Sequence, residues 1–255
     1  MEFGSFIAVF DSGVGGISVL KEMVRLMPYE DFVYFGDSAN APYGTKSTLA
    51  VRRLTTGHIE HMMDRGAKAA CIACNTATSA AVRSLRDKYP DFPLVGIEPA
   101  LKPAAECVPG GRILVMATPM TIREEKFHNL LARYEDMAVI IPLACPGLME
   151  FVEDGKADTP EAAEFLHGLL REYEGNVDAV VLGCTHYPFV RRQIAEVLGA
   201  DVQIFDGSAG TARELRRRIV AAGIAEPNVT KRGKVIFENS AGDEKIALCE
   251  RLMGQ

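Results

Sequence analysis

Apolar residues in this chain cluster in short, nearly continuous runs rather than alternating with polar ones. The runs are Phe6–Phe10, Asp31–Phe35, Ala67–Ala73, Pro93–Gly96, Arg112–Ala117, Ala138–Pro142, Val177–Leu182 and Val202–Phe205. Strands covered on both faces read this way, as in a parallel sheet flanked by helices. Between them the pattern predicts helices, among them Ile17–Met27, Ser47–Arg65, Ala77–Lys88, Thr121–Arg133, Pro160–Tyr173 and Ala209–Ala222. Such alternation means an α/β fold. Ligands of α/β folds gather beyond the carboxyl ends of the strands, so the segments directly after each strand are where chemistry is to be sought.

Comparing those segments exposes a weak internal repeat. One strand ends at Asp11-Ser12-Gly13 and a later one at Ala117-Thr118-Pro119, each before a helix. Cys74 lies 63 positions after Asp11, and Cys184 lies 66 after Thr118. Each cysteine follows an apolar strand and precedes small polar residues. Identity between the halves is slight, so element order repeats rather than sequence. The expectation is two similar lobes, each a mostly parallel sheet flanked by helices, with one cysteine from each. The division expected is 1–97 plus 207–255 for the Cys74 lobe and 98–206 for the Cys184 lobe.

Composition narrows the function classes. With 255 residues, 48% hydrophobic and 24% charged, the chain can bury a proper core. A net charge of −6 argues against nucleic acid or an anionic membrane as the main partner. No secretory signal is legible at the N-terminus, and no apolar stretch approaches the roughly 18 residues of a membrane span. Six scattered cysteines then read as reduced thiols in a cytoplasmic protein.

Two cysteine segments carry the strongest candidate chemistry. Cys74, in Ala73-Cys74-Asn75-Thr76-Ala77, sits where a strand gives way to a helix. Unpaired N–H groups and the positive end of the helix dipole favour a thiolate there. The same groups, with Asn75 and Thr76, can hold a carboxylate, although both side chains also suit plain helix capping. Cys184 stands in Gly183-Cys184-Thr185-His186-Tyr187-Pro188, where His186 can accept or relay a proton. Asp11 is placed to orient or deprotonate a thiol and Ser12 to bind a substrate; Asp11 serves equally as an N-cap. The glycines after Asp11 invite a nucleotide reading, but the dinucleotide fingerprint needs glycine at Ser18, and no Walker lysine follows. The loop Asp37–Gly44 carries a polar and aromatic set, and Cys145–Glu150 follows the equivalent strand of the other half. Glu150 is the candidate carboxylate for His186, while Thr118 and Thr121 flank Pro119 at a helix start. The Cys71-Ile72-Ala73-Cys74 spacing suggests a metal, yet the two side chains point to opposite strand faces and no second ligand pair is suitably spaced. No metal site is expected.

These segments, in this order, resemble the glutamate racemases of the aspartate/glutamate racemase superfamily. The matching stretches are 10–16, Asp37 to Gly44, 73–78, 96–100, 182–188 and 206–208. The two cysteine motifs together are highly specific, and the likeness spans most of the chain. It implies a two-lobed enzyme with its active site in the cleft between the lobes, no cofactor, and glutamate as substrate. Cys74 and Cys184 would face opposite sides of the α-carbon, with Asp11 assisting Cys74, and His186 and Glu150 assisting Cys184. Substrate contacts would fall to Ser12, Tyr43, Gly44, Asn75, Thr76 and Thr185, with Thr118 and Thr121 beside them. Relatives of this kind often form dimers, which makes a homodimer a candidate assembly. Those under nucleotide-sugar control tend to carry an N-terminal extension, so no such control is expected here.

The chemistry suits these residue types. Inverting a stereocentre takes a base on one face and an acid on the other, and thiolate and thiol exchange those roles in reverse. The α-proton is very weakly acidic, so preorganised hydrogen bonds must stabilise the carbanion-like transition state. Three alternatives remain at this point: a racemase for aspartate or another amino acid, a cysteine-dependent isomerase or hydantoin-type enzyme of the same superfamily, and a non-catalytic small-molecule binding protein.

Overall fold

A computed structural model describes residues 5–227 and 230–254. The first stretch of chain forms β1 (Phe6–Asp11), α1 (Ile17–Leu26), β2 (Phe32–Gly36), α2 (Thr48–Asp64), β3 (Ala67–Ile72), α3 (Asn75–Lys88) and β4 (Leu94–Gly96). Next come α4 (Leu101–Cys107), β5 (Arg112–Ala117), α5 (Pro119–Arg123), α6 (Glu125–Leu131), β6 (Val139–Ala144), α7 (Leu148–Glu153), α8 (Pro160–Leu170), β7 (Ala179–Leu182), α9 (Arg191–Leu198) and β8 (Gln203–Asp206). After these follow α10 (Ser208–Ala221), β9 (Val235–Asn239) and α11 (Asp243–Gly254). Among the described residues no helix is long and apolar enough to cross a membrane.

Two compact units result, one of Met1–Ile97 with Ser208–Gln255 and one of Glu98–Gly207. The first holds a five-stranded sheet ordered β4-β3-β1-β2-β9 and the second a four-stranded sheet ordered β6-β5-β7-β8. Every pairing is parallel. Read in reverse, the second order is β8-β7-β5-β6, which matches β4-β3-β1-β2. The repeat of element order is therefore a repeat of topology, in which β1 answers to β5 and β3 to β7. Strand β9 has no counterpart.

The continuous apolar runs explain the central strands. All six residues of β1 are buried, and so are five of the six in β5, as two-sided coverage requires. In the second unit Ile113, Val115, Ala117, Ala179 and Val181 pack with Leu101 and Phe127 in one cluster. Each buried side chain the size of valine or larger contributes about 1.5–3 kcal/mol. Helix starts follow local chemistry: Ser47 caps α2, Thr118 caps α5 and Thr159 caps α8, the last two before a proline.

The departures from the pattern have local causes. The helix expected over Thr121–Arg133 begins earlier, at Pro119, and divides where Glu124 turns extended (φ −75°, ψ 135°). Strand β6 runs on through Pro142 to Ala144, which an edge strand allows because one side has no partner to miss the N–H. Strand β9 offers only Val235, Ile236 and Phe237 as an apolar signal, all half-buried, and owes its existence to pairing with β2.

Two glycines set close approaches beneath the glycine-rich turn. A Cβ on Gly16 would lie 2.7 Å from the Asp11 Cβ, so only glycine lets α1 start over the tip of β1. A Cβ on Gly36 would lie 2.3 Å from the Gly13 carbonyl oxygen and 2.7 Å from Asn239 Nδ2. We expect Gly36→Ala to cost about 1–3 kcal/mol through forced backbone displacement. Gly57, exposed within α2 and clear of neighbours, is the control. Gly57→Ala should stabilise by about 0.5–1 kcal/mol. Urea unfolding of both variants checks the pair, and a neutral Gly36→Ala would refute the close approach.

Candidate active site

In the first unit the tips of β1, β2 and β3 are fastened side by side. The Asp11 carbonyl accepts from Asp37 N at 3.0 Å, and the Phe10 carbonyl accepts from Ala73 N at 2.7 Å. These bonds carry the pairing one residue past the strands and bring Asp11, Asp37 and Cys74 to one edge. Asp11 is fully buried, and its Oδ1 accepts from Gly13 N at 2.8 Å. Cys74 caps α3, its sulfur accepting from Ala77 N at 3.4 Å. The Ser12 hydroxyl lies 3.4 Å from the same sulfur. Thr76 is buried beside it, and so is Asn75, whose Oδ1 receives no hydrogen bond among the described residues. A buried acceptor without a donor is costly, so this oxygen retains the capacity to accept a hydrogen bond. Cys71, by contrast, is sealed within β3, where burial, reinforced by the charge of Asp11, pushes its thiol far above the ordinary range.

Tyr43 and Gly44 are buried in the loop after β2. The Tyr43 hydroxyl donates to Asp37 Oδ2 at 2.7 Å, Asn40 Nδ2 donates to Oδ1 at 3.0 Å, and His58 Nε2 lies 3.2 Å from Oδ2. Burial works to raise the Asp37 carboxyl, but hydrogen bonds from His58, Asn40, Tyr43 and Ser240 outweigh it and hold the group below the usual carboxylate range. Burial and the bond to Asp37 push the Tyr43 phenol far up, so it remains a donor.

The second unit repeats the fastening with other side chains. Cys145 N donates to the Ala117 carbonyl at 3.0 Å and Gly183 N to the Met116 carbonyl at 2.7 Å. Cys184 therefore occupies the position of Cys74, Cys145 that of Asp37, and Ala117 that of Asp11. Cys184 Sγ lies 3.6 Å from His186 Nδ1, and His186 Nε2 lies 2.8 Å from Glu153 Oε1. Burial alone would lower the His186 pKa, yet its bonds to Cys184 and Glu153 raise it well above the ordinary histidine value. Thr185 is buried beside Cys184, and the Thr118 and Thr121 hydroxyls meet at 2.9 Å at the start of α5. Burial, then the charge of Cys184, pushes the Cys145 thiol up to about 12.

The expectation for Glu150 is corrected here. Glu150 is exposed in the first turn of α7, and the carboxylate against His186 is Glu153. Leu148, Met149, Val152 and Glu153 form the buried face of that helix, with Glu153 four residues after Met149. That spacing was the available signal, and it required α7 to be recognised first. Among the described residues no cluster of three or more His, Cys, Asp or Glu side chains is suited to a metal ion.

The family model for Asp/Glu/Hydantoin racemase matches residues 10–215, a span holding both cysteine tips. The chain belongs to this racemase family. The glutamate racemase of Clostridium acetobutylicum is 50% identical over 249 residues, covering 97% of this chain and 96% of that protein. Among solved structures, the Thermus thermophilus glutamate racemase in complex with β-chloro-D-alanine is 37% identical at a TM-score of 0.80, covering 97% of this chain and 93% of that one. The Escherichia coli glutamate racemase in complex with L-glutamate and the activator UDP-MurNAc-Ala is 29% identical at a TM-score of 0.85, covering 99% and 95%. The matched racemase span stops before β9 and α11, which nonetheless belong to the unit that carries Cys74.

The ion pair in this racemase has a testable sign. The native His186 pKa lies above the unfolded value, so the pair stabilises fully below about pH 6.5. That contribution fades as pH rises through the native value. Glu153→Gln should move the His186 titration downward, as followed by imidazole NMR shifts, while Glu150→Gln should leave it in place. A His186 titration indifferent to Glu153→Gln would remove Glu153 from the pair.

Proposed function

We propose that this chain interconverts L- and D-glutamate without a cofactor, using Cys74 and Cys184 as its two proton carriers. The observation that carries the reading is the pair of thiols at equivalent strand tips, each with its own polar partners. Ser12 and Ala77 N contact the Cys74 sulfur, and His186 backed by Glu153 contacts the Cys184 sulfur.

In one direction a thiolate takes the α-proton, and the opposite thiol delivers its own proton to the other face of the carbon. The C–H electron pair is held briefly on the substrate and then forms the new C–H bond. Each sulfur ends in the other's protonation state, ready for the reverse reaction. A protonated His186 can restore the proton on Cys184, and Asp11 can receive one on the Cys74 side. The unpartnered Asn75 Oδ1 suits the substrate ammonium, which is a donor. The hydroxyls of Ser12, Thr76 and Thr185, with Tyr43 and Gly44, complete the grip on substrate, and Thr118 and Thr121 stand beside it. The product D-glutamate would supply peptidoglycan synthesis in the cytoplasm.

The deciding experiment follows α-proton loss and optical rotation of L-glutamate in D2O. Deuterium enters the α-position and rotation decays to zero if the reading holds. Exchange with aspartate but not with glutamate would reassign the substrate, and ligand binding without any exchange would make the chain a binding protein. Cys74→Ala and Cys184→Ala should each lower racemisation at least about 100-fold, the usual loss for a missing acid or base. Cys107→Ala, on an exposed residue of α4, should stay within about twofold of the parent.

A further inference from the structure

The fifth strand of the first unit is the feature with no counterpart in the second. Strand β9 pairs with β2 in parallel from Phe32↔Val235 to Gly36↔Asn239, and Ser240 N extends the ladder to the Gly36 carbonyl at 3.0 Å. The contacts just past the strand then leave the sheet for the loop. Asn239 Nδ2 donates to Ser38 Oγ at 3.0 Å, and Ala39 N donates to Ser240 Oγ at 2.9 Å. Ser240 is also one of the side chains that stabilise the Asp37 carboxylate, which in turn accepts from Tyr43. Asn239 is itself held, its Oδ1 accepting from Ala241 N at 2.9 Å. A continuous set of bonds thus runs from β9 through Ser38, Ala39 and Asp37 to Tyr43.

The comparison of the two units says what this set is for. In the second unit the segment between β6 and α7 is only residues 145–147. In the first unit the corresponding segment is residues 37–47, with two single 3-10 turns, and it carries Tyr43 and Gly44. Ordering a long irregular segment costs conformational entropy residue by residue, so it needs anchors a short turn does not. The geometry points to Asn239 and Ser240 as positioning residues for the substrate loop, lying beyond residues 10–215 that the family model matches. They touch no substrate; they act through Asp37 and the 38–40 turn to hold Tyr43 and Gly44 where the ligand meets them. This inference rests on the assignment of Tyr43 and Gly44 to substrate binding.

Steady-state racemisation of the full chain tests it. Asn239→Ala/Ser240→Ala should raise KM for glutamate about tenfold with kcat within about twofold, because a looser grip weakens ground state and transition state alike. Ser240→Thr, which keeps the hydroxyl, should stay close to the parent. Arg65→Gln provides the structural control: Arg65 clamps β9 through two bonds to Glu238, at 2.7 and 2.6 Å, without touching the loop. It should lower the unfolding midpoint and leave KM alone. An Arg65→Gln variant that raises KM as much as the double variant overturns the inference, since any loosening of β9 would then suffice. So does an unchanged KM in the double variant while Gly44→Ala raises it, an outcome that spares the substrate role of the loop. If Gly44→Ala also leaves KM unchanged, that substrate role falls and takes the inference with it.

Discussion

A backbone hydrogen bond made one residue beyond the strand is the constraint on which both cysteine sites depend. Ala73 N to the Phe10 carbonyl and Gly183 N to the Met116 carbonyl continue the parallel pairing after β3 and β7 have ended. Each bond fixes the residue before a cysteine, and the cysteine then falls where the chain leaves the sheet. Parallel pairing sends every carboxyl end the same way, so the chemistry of a unit accumulates on one edge. What each tip contributes is then a choice of side chain rather than of fold.

The two units make that choice differently. At the tip of the central strand the first unit places Asp11 and the second Ala117, while at the neighbouring tip Asp37 answers to Cys145. The tips of β5 and β6 thus carry no charge, and the charge that meets Cys184 comes from the loop and helix, as His186 braced by Glu153. A buried imidazole could not hold a proton alone, because desolvation lowers its pKa; the bonds to Cys184 and Glu153 together reverse the balance. In the first unit the carboxylates are native to the strand tips, and a hydroxyl and a helix N–H meet the sulfur directly. The same backbone thus supports two thiols with unlike proton inventories.

Much of this was legible in the residues. Continuous apolar runs located eight strands to within a residue or two; full burial on both faces explains the central ones such as β1, β5 and β7, whereas the edge strands β6 and β8 are apolar without a fully buried residue. The cysteine tips were legible because in both halves a cysteine followed by small polar residues stands directly after such a run, although residues of that kind also suit helix capping. Glu153 was not, since a carboxylate on the buried face of a six-residue helix resembles any other glutamate until the helix is placed. Strand β9 was hidden for a similar reason: three half-buried apolar residues pair only because β2 is already present. The sequence marks Asn75 only by its place beside Cys74; its unpartnered oxygen is visible only with the packing around it.

The discontinuity of the first unit has a temporal meaning. Residues 98–207 are contiguous, so that unit can form as soon as it has been synthesised. Strand β2 ends at Gly36, and its outer partner arrives only with Val235–Asn239. During synthesis the earlier strands must therefore wait, one edge open, while the whole of the other unit emerges and folds. Loops closed over such a distance form late and slowly. The half that holds Cys74 is begun first and completed last, and a nascent chain passes most of its life with that sheet edge unprotected.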